Sequence, residues 1–465
     1  MPRSVLIVGA GPAGMSAAIE AQARSARVIV VDEAARPGGQ IYRQTYRPST
    51  RGGAFADAGE LARKERLIGA FERLCDKIEY RPSTAAFALF GSRELHVANG
   101  ARTEVLHADS VVLTSGVREI AIPFPGWTTP GVMYAGGVQA LLKAQSVLAG
   151  RRIVVAGAGP LPIVVAAQLL RAGGEVASLA TLNSLAATAR ELHALWKGRD
   201  IVLEGLRYLA TVIRAGVPRL SGFVPVRVQG REQVESVLLA RVDRDGSIIP
   251  NTEREIACDV VAVNYGFASN SELALMAGVA MRHDQPSGGW VPVVDEFGRT
   301  SVPGIFVAGD AAGLRGALVA EAEGRIAGAA AAECEEIKSA QFRVGLSQDL
   351  AQRERLVAFQ SAVQSMLRVP TGLWNLATDD TVVCRCENVT ASALRDAFAA
   401  GHLTPNTIKR VTRAGMGWCG GRTCLHAVAA LAELHGAPDA GLMTPRPLAR
   451  PVTLAALASL DASSR

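Results

Sequence analysis

Four cysteines crowd the last fifth of the chain: Cys384 and Cys386 in "VVCRCENVT", then Cys419 and Cys424 in "GMGWCGGRTC". Neighbouring side chains in an extended segment diverge, so a CxC pair is poorly placed to close a disulfide, whereas two thiolates bent round one metal centre converge. CxC, a connector of 32 residues and Cx4C therefore read as a thiolate metal site. Tetrahedral zinc accepts four thiolates and so does a [2Fe–2S] cluster; the spacing differs from that of plant ferredoxins and leaves both metals open. Gly415, Gly417, Gly420 and Gly421 surround Cys419, which lets backbone N–H groups point at sulfur, but zinc knuckles use glycine in the same way. The other cysteines offer no such pattern. Cys75 falls in a run with Leu67, Phe71, Leu74 and Ile78 at helical spacing and is expected to pack in a core, while Cys258 and Cys334 stand isolated. The seven histidines show no ligand pairing or triad signature, so no general base or other catalytic residue is named.

A second chemistry lies at the other end. "SVLIVGAGPAGMSAAIEAQARSARVIVVDE" reads as a strand, a glycine turn, a helix of small residues and a second strand. Gly9 makes the turn, Gly11 lets the backbone approach a pyrophosphate, and Gly14 lets the helix lie close on the sheet. The helix beginning at Pro12 and Ala13 offers its free N–H groups and positive end to the phosphates. Asp32, eighteen residues after Gly14, is placed to hold ribose hydroxyls, with Glu33 next to it. "RPGGQIYR" follows with Gly38, Gly39, Gln40 and Arg43, and much later "TSVPGIFVAGDAAG" ends a strand in Gly309 and Asp310. This three-part set resembles the FAD-binding pattern of the two-dinucleotide-domain flavoprotein oxidoreductases, in which the late Asp reaches the ribityl chain. The resemblance implies FAD. The alternative for Asp310 is a strand-end acid that caps the next helix.

The strand, turn and helix recur in "RRIVVAGAGPLPIVVAAQLLRAGGEVASLATL", in damaged form. Gly157 and Gly159 remain, but Pro162 takes the third glycine position and Ala180 falls at the count corresponding to Asp32. No acid awaits a 2′-hydroxyl and no Arg stands at that strand end for a 2′-phosphate, Arg190 lying further on, so this copy is expected to be a retained scaffold. It is expected to be inserted in the first. "DSVVLTSGVREIAIPFPGW" leads out, with Thr114, Ser115 and Gly116 near the flavin nucleotide, and "CDVVAVNYGFASN" leads back. The fold class expected is α/β, with an FAD-binding domain over 1–118 and 260–335, a degenerate NAD(P)-like Rossmann domain over 119–259, a helical linker over 336–375 and a small helical cysteine-cluster domain over 376–465. Neither inner domain carries the CxxC or Cx4C thiol pair of the flavin disulfide reductases of this fold. Within the last domain, "TASALRDAFAAGH" reads as a helix capped near Thr390, and "CLHAVAALAELHG" as one running from Cys424 to Gly436 with Leu425, Val428 and Leu431 on one face.

Bulk properties bound the rest. With 465 residues, 49% hydrophobic and 20% charged, the composition is globular and long enough for several domains. A net charge of +6 on scattered Lys and Arg argues against a nucleic-acid partner. Seven cysteines, an odd number bunched at one end, argue against a disulfide framework and for a reducing cytoplasm. The apolar runs at the N-terminus and over 153–170 mimic a leader and a membrane span, but Gly and Pro interrupt both where a strand turns into a helix.

"CRCENVT" with "GMGWCGGRTC" is similar to the bacterioferritin-associated-ferredoxin type of [2Fe–2S] domain. Together with "VPGIFVAGDAAG", "PFPGWTTPGV" and the degenerate "GAGPLP", nearly the whole chain resembles the larger flavoprotein subunit of heteromeric amine and imino-acid dehydrogenases: opine oxidases, hydrogen cyanide synthase and D-hydroxyproline dehydrogenase. The resemblance implies [2Fe–2S] rather than zinc on Cys384, Cys386, Cys419 and Cys424. It also implies a hetero-oligomer in which a small ferredoxin-like protein joins a smaller FAD-containing catalytic subunit, with FMN shared at a subunit interface. The location implied is cytoplasmic and open to the inner-membrane surface. In this reading the chain receives electrons from the partner that oxidises a C–N bond and passes them through the cluster. The competing readings are a stand-alone NAD(P)H-dependent flavin reductase and a non-redox scaffold holding a nucleotide and zinc.

Overall fold

The computed structural model describes residues 2–46, 55–91, 93–182, 196–333, 340–366, 369–437, 441–444 and 448–460. Cys334 and Arg190 lie outside the described residues. The strand Ser4–Val8 alternates its side chains between two cores: Val5 and Ile7 face one, Leu6 and Val8 the other, and all are buried. It sits at the centre of a five-stranded parallel sheet in the order Ile305–Val307, Ser110–Leu113, Ser4–Val8, Arg27–Val31, Glu79–Arg81. The helices Pro12–Ala23 and Ala317–Ala332 cover the first face. Their approach is close because Gly324 and Gly328 lie on Ala13 and Ala17; a Cβ at either glycine would run into the facing carbonyl. The antiparallel sheet Ala85–Phe90, Glu94–Asn99 and Arg102–His107 supplies Leu89, Leu95, Val97 and Leu106 to the other core.

A second parallel sheet has the order Arg219–Ser221, Glu175–Thr181, Arg152–Gly157, Val260–Asn264, Val132–Tyr134. All its strands fall between Leu113 and Ile305 in the chain, so the second unit is inserted in the first. The two crossings, Val117–Glu119 and Phe267–Ser269, pair antiparallel with each other. The return crossing therefore comes later than the boundary at 260 read from the sequence. Val260–Asn264 belongs to the second sheet because its fully buried run pairs with Arg152–Gly157. The two units also meet through a buried polar cluster. Lys143 on the helix Ala135–Gln145 donates to the Ile41 carbonyl (3.0 Å) and pairs with Glu60 (2.8 Å), and the Tyr208 hydroxyl donates to the other Glu60 oxygen (2.9 Å).

Beyond the first unit the chain forms the helices Ala340–Gly345 and Ser347–Met366, broken at the buried Leu346 where continuous helix was expected. The terminal module follows: a hairpin of Val382–Cys384 and Val389–Thr390, then helices Ala391–Ala399, Pro405–Thr412 and Leu425–Leu434. Thr390 caps the first of these by accepting from the Ala393 N–H, as its position implied. The middle helix was not expected, although Thr404, Pro405 and Thr407 form a capping box with Pro at the first turn. Val383, Leu394, Phe398, Ile408, Val428 and Leu431 join one core with Phe124, Trp127 and Val228 of the second unit. The chain's last described stretch, 448–460, leaves this module. Ala449 N–H donates to the Phe87 carbonyl (2.6 Å) and Thr103 Oγ1 to the Ala456 carbonyl (2.8 Å), so the tail lies on the first unit rather than with the cysteines.

Candidate functional site

The glycines at the head of the first sheet form a cradle that only backbone fits. Gly9 has φ +106°, in the region L side chains avoid, and a Cβ there would lie 2.6 Å from the Thr114 carbonyl oxygen. A Cβ on Gly14 would collide with the Gly9 carbonyl, one on Gly39 would lie 2.9 Å from Gly11 Cα, and one on Gly309 2.8 Å from Ala13 Cβ. The turn 9–14, the loop 38–39, Thr114 and Gly309 thus converge from four distant stretches of chain. Gly38 N–H donates to the Ala10 carbonyl (2.8 Å) and Thr114 Oγ1 to the Val8 carbonyl (2.7 Å). Gly11 caps the helix Pro12–Ala23 without a side-chain hydrogen bond, which leaves its first N–H groups to an anion.

The acids have separate fates. Asp32 is buried and accepts from the N–H groups of Ala10 and Ala34; burial pushes its carboxyl above the ordinary range while those two bonds oppose the shift. Glu33 points outward and pairs with Arg450 (3.2 Å). Asp310 Oδ1 accepts from the N–H groups of Arg315 and Gly316 (2.9 Å each) at the start of the helix Ala317–Ala332, and burial raises its pKa. It braces the loop that enters that helix, whose N-cap Gly316 has no side-chain cap, and lies beside the Gly309 wall of the cradle. Gln40 and Arg43 bond to each other at the rim (2.6 Å). Ser115 and Gly116 are held by Asn270, whose side chain donates to the Ser115 carbonyl (2.9 Å) and whose N–H donates to the Gly116 carbonyl (2.9 Å). A cradle lined by backbone, with the buried Asp32 and the partly buried Asp310 at its sides, fits FAD.

The second turn keeps the shape without the chemistry. Gly157 has φ +147° and no room for a Cβ against the Asn264 carbonyl, and Pro162 is buried in the first turn of the helix Leu161–Arg171. Pairing places Thr181, not Ala180, opposite Gly157, because the register slips at Ile153/Val154 and Ala177 is passed over. Counting residues missed the irregularity, since one extra residue shifts every later position. No acid stands at the end of this strand.

The four late cysteines meet as two pairs, Cys384 with Cys424 and Cys386 with Cys419. Among the described residues no three Cys, His, Asp or Glu side chains converge on the position of a single ion. Two cysteine pairs side by side match the donor set of two irons, each taking two thiolates. Cys384 is pulled down to about 6 by the hydrogen bond from Cys424, against burial, and then by the N–H groups of Gly415, Glu387 and Cys386. Gly415 has φ +82° and Gly417 lies directly on Cys386, so the glycines turn the loop and bring backbone against sulfur. Elsewhere the cysteine expectations divide. Cys258 is buried and pushed up to about 12 by burial, but Cys75 is exposed: the helix Ala58–Glu72 ends before it, so the helical spacing no longer applies.

Sequence reading missed the residues that join the two sites. Arg118 on the crossing strand pairs with Glu272 (3.0 Å) and donates to the Arg422 carbonyl (3.1 Å). Arg422, between Cys419 and Cys424, also reaches Glu272 (3.4 Å). No spacing rule links them, because they come from three segments. A cavity of about 110 Å³ adjoins them, walled by the flavin unit at Trp290 and by the cysteine loop at Gly420 and Gly421.

The pyridine nucleotide-disulphide oxidoreductase profile matches residues 3–332, and a BFD-like [2Fe-2S] binding domain matches 382–433. The chain belongs to the pyridine nucleotide-disulphide oxidoreductase family. As a member it is an oxidoreductase whose flavin is FAD, and its terminal module is a [2Fe–2S] domain, which turns the choice left open by cysteine spacing from zinc to iron. Over 99% of its length it is 35% identical to a subunit of the opine oxidase of Rhizobium meliloti, covering 88% of that protein. It is 32% identical to the HcnB subunit of the hydrogen cyanide synthase of Pseudomonas aeruginosa, over 98% of both chains. The crystal structure of L-proline dehydrogenase from P. horikoshii has the same fold, with a TM-score of 0.68 at 22% identity over 98% of this chain and 79% of that one. Among the described residues no helix is long and apolar enough to cross a membrane.

Proposed function

We propose that this family member is the FAD- and [2Fe–2S]-containing subunit of a hetero-oligomeric amine, imino-acid or opine dehydrogenase, and that it relays electrons from a partner flavoprotein subunit that oxidises a C–N bond. In this reading Gly9, Gly11, Pro12, Ala13, Gly14, Gly38, Gly39, Thr114, Ser115, Gly116 and Gly309 shape the flavin nucleotide site, Asp32 and Asp310 supply its acids, and Cys384, Cys386, Cys419 and Cys424 hold the cluster. When bound, FAD accepts a hydride and the cluster exchanges single electrons. The observation that carries the proposal is the tie between the two sites: the strand leaving the nucleotide loop at Gly116 reaches the cysteine loop through Arg118. Two features support a subunit rather than a self-sufficient reductase. The second dinucleotide turn lacks its acid, and the opine oxidase and hydrogen cyanide synthase relatives are by name subunits of larger enzymes. The proposal extends to a smaller FAD-containing partner, a ferredoxin-like partner and FMN at a shared interface. The test is anaerobic spectroscopy of the chain alone and of the complex purified with its co-expressed neighbours. The complex is expected to lose flavin absorbance and gain the reduced-cluster paramagnetic signal with an amine, imino-acid or opine substrate, while the chain alone ignores NADH and NADPH. Bleaching of the lone chain by either nicotinamide would establish the flavin-reductase reading instead.

A further inference from the structure

Between the nucleotide loop and the cysteine loop lies a clamp of three side chains. Arg118 Nε donates to the Arg422 carbonyl (3.1 Å), and its Nη1 reaches the Ser269 carbonyl (2.9 Å), Asn270 Oδ1 (3.1 Å) and Glu272 (3.0 Å). Arg422 Nη1 donates to the Cys419 carbonyl (3.2 Å), and its Nε lies 3.4 Å from the same Glu272 oxygen. One carboxylate therefore serves two guanidiniums, and the clamp carries a net positive charge. Of the other cations nearby, Arg450 is paired with Glu33 (3.2 Å), and Arg385, between the first two cysteines, lies over the Trp127 ring (4.7 Å). The clamp is poorly solvated, with Arg118 19%, Arg422 15% and Glu272 26% exposed. Charges so placed are weakly screened.

We infer that Arg118, Arg422 and Glu272 are positioning residues that set the reduction potential of the cluster held by Cys384, Cys386, Cys419 and Cys424. A tetrathiolate [2Fe–2S] cluster is anionic and gains a further negative charge on reduction, so a fixed positive charge at Cys419 favours the reduced form. The same guanidinium that bonds the cysteine loop bonds Asn270, which holds Ser115 and Gly116, so the clamp also keeps the charge in register with the flavin side. The inference takes its purpose from the relay reading, but a midpoint potential is an equilibrium property of the purified chain. Absence of substrate-driven electron flow would sink the relay and leave the potentials to be judged separately.

The experiment is a redox titration of the full-length, cofactor-loaded chain, followed by the paramagnetic signal of the reduced cluster. Arg422→Gln and Arg118→Gln each remove one charge and are expected to move the equilibrium at least tenfold toward the oxidised form, about 59 mV for one electron. Arg422→Lys keeps the charge and is expected to stay within threefold of wild type. Glu272→Gln uncovers both guanidiniums and is expected to shift the equilibrium the other way. That reversal of sign separates charge from mere packing, and it decides the matter alone if Arg422→Gln fails to assemble its cluster. Glu272→Gln at the wild-type potential or below it would overturn the inference.

Discussion

At the scale of single residues, the cysteines of the iron–sulfur module differ in burial: Cys384 and Cys424 belong to its core, and Cys386 does not. Cys386 is the half-exposed member of its pair, lying against Gly417 and Cys419. Cys386→Ser is expected to lose cluster absorbance and iron while the flavin spectrum stays; visible and paramagnetic spectra identical to wild type would refute this. Glu119 makes a different kind of test. Its carboxylate accepts from Gly136 N–H (3.0 Å) and the Asn264 side chain (2.8 Å) at the junction of the units, yet burial outweighs these bonds and raises its pKa above 4.5. The folded chain therefore holds this proton more tightly than the unfolded one. The stability it brings is fully present below 4.5 and is lost as pH rises through the raised value. Unfolding free energies of wild type and Glu119→Gln, measured from about pH 4 to about pH 8, are expected to shift in favour of the variant as pH increases. A difference independent of pH would exclude the assignment.

At the scale of elements, the helix pair Pro12–Ala23 and Ala317–Ala332 decides whether the nucleotide cradle exists. Gly324 sits on the Ala13 carbonyl, and Ala13 also forms the wall opposite Gly309. Gly324→Leu is expected to pry the helices apart, destabilising the fold by roughly 2–3 kcal/mol and lowering the FAD retained on purification. A denaturation midpoint and flavin content equal to wild type would show that the helix contact has slack. The short elements were legible from local signals: the opening strand, the Gly9 turn, the Thr390 cap and the Gly436 stop all depend on residues adjacent in the chain. The middle helix of the terminal module carried such a signal too, in Thr404, Pro405 and Thr407, and was overlooked. The shifted register at Ala177 was not legible, because a bulge is set by the partner strand and leaves no mark on spacing.

At the scale of the whole molecule, the two dinucleotide units are locked by charge. Lys143 and Glu60 are each 9% exposed, and Tyr208, which donates to Glu60, lies beneath the Arg171 guanidinium at 4.7 Å from its ring. Arg63 to Glu204 (2.7 Å) and Arg207 to Asp57 (3.2 Å) flank them. Glu60→Ala leaves the lysine charge buried without its partner and is expected to cost about 3–5 kcal/mol, whereas Glu60→Leu with Lys143→Met is expected to cost less than the single change. Guanidinium denaturation of wild type and the two variants would check this, and a double variant no more stable than Glu60→Ala would count against a buried pair. The lock also holds Ile41, next to the loop Gly38–Gln40, to the second unit.

The amino-acid sequence by itself determined the chemistry available: a glycine turn with room for a pyrophosphate, an acid eighteen residues on, a second turn stripped of its acid, and two thiolate pairs far down the chain. Those features are local, since the conformational freedom of a glycine and the sequence spacing of two cysteines belong to the chain before it folds. Only the tertiary structure decided that Arg118, Glu272 and Arg422 meet, that Gly324 lies against Ala13, that Glu33 turns to Arg450 and that Cys75 faces solvent. Each of these depends on side chains brought together from distant segments, where burial and partner geometry, rather than spacing, set the outcome.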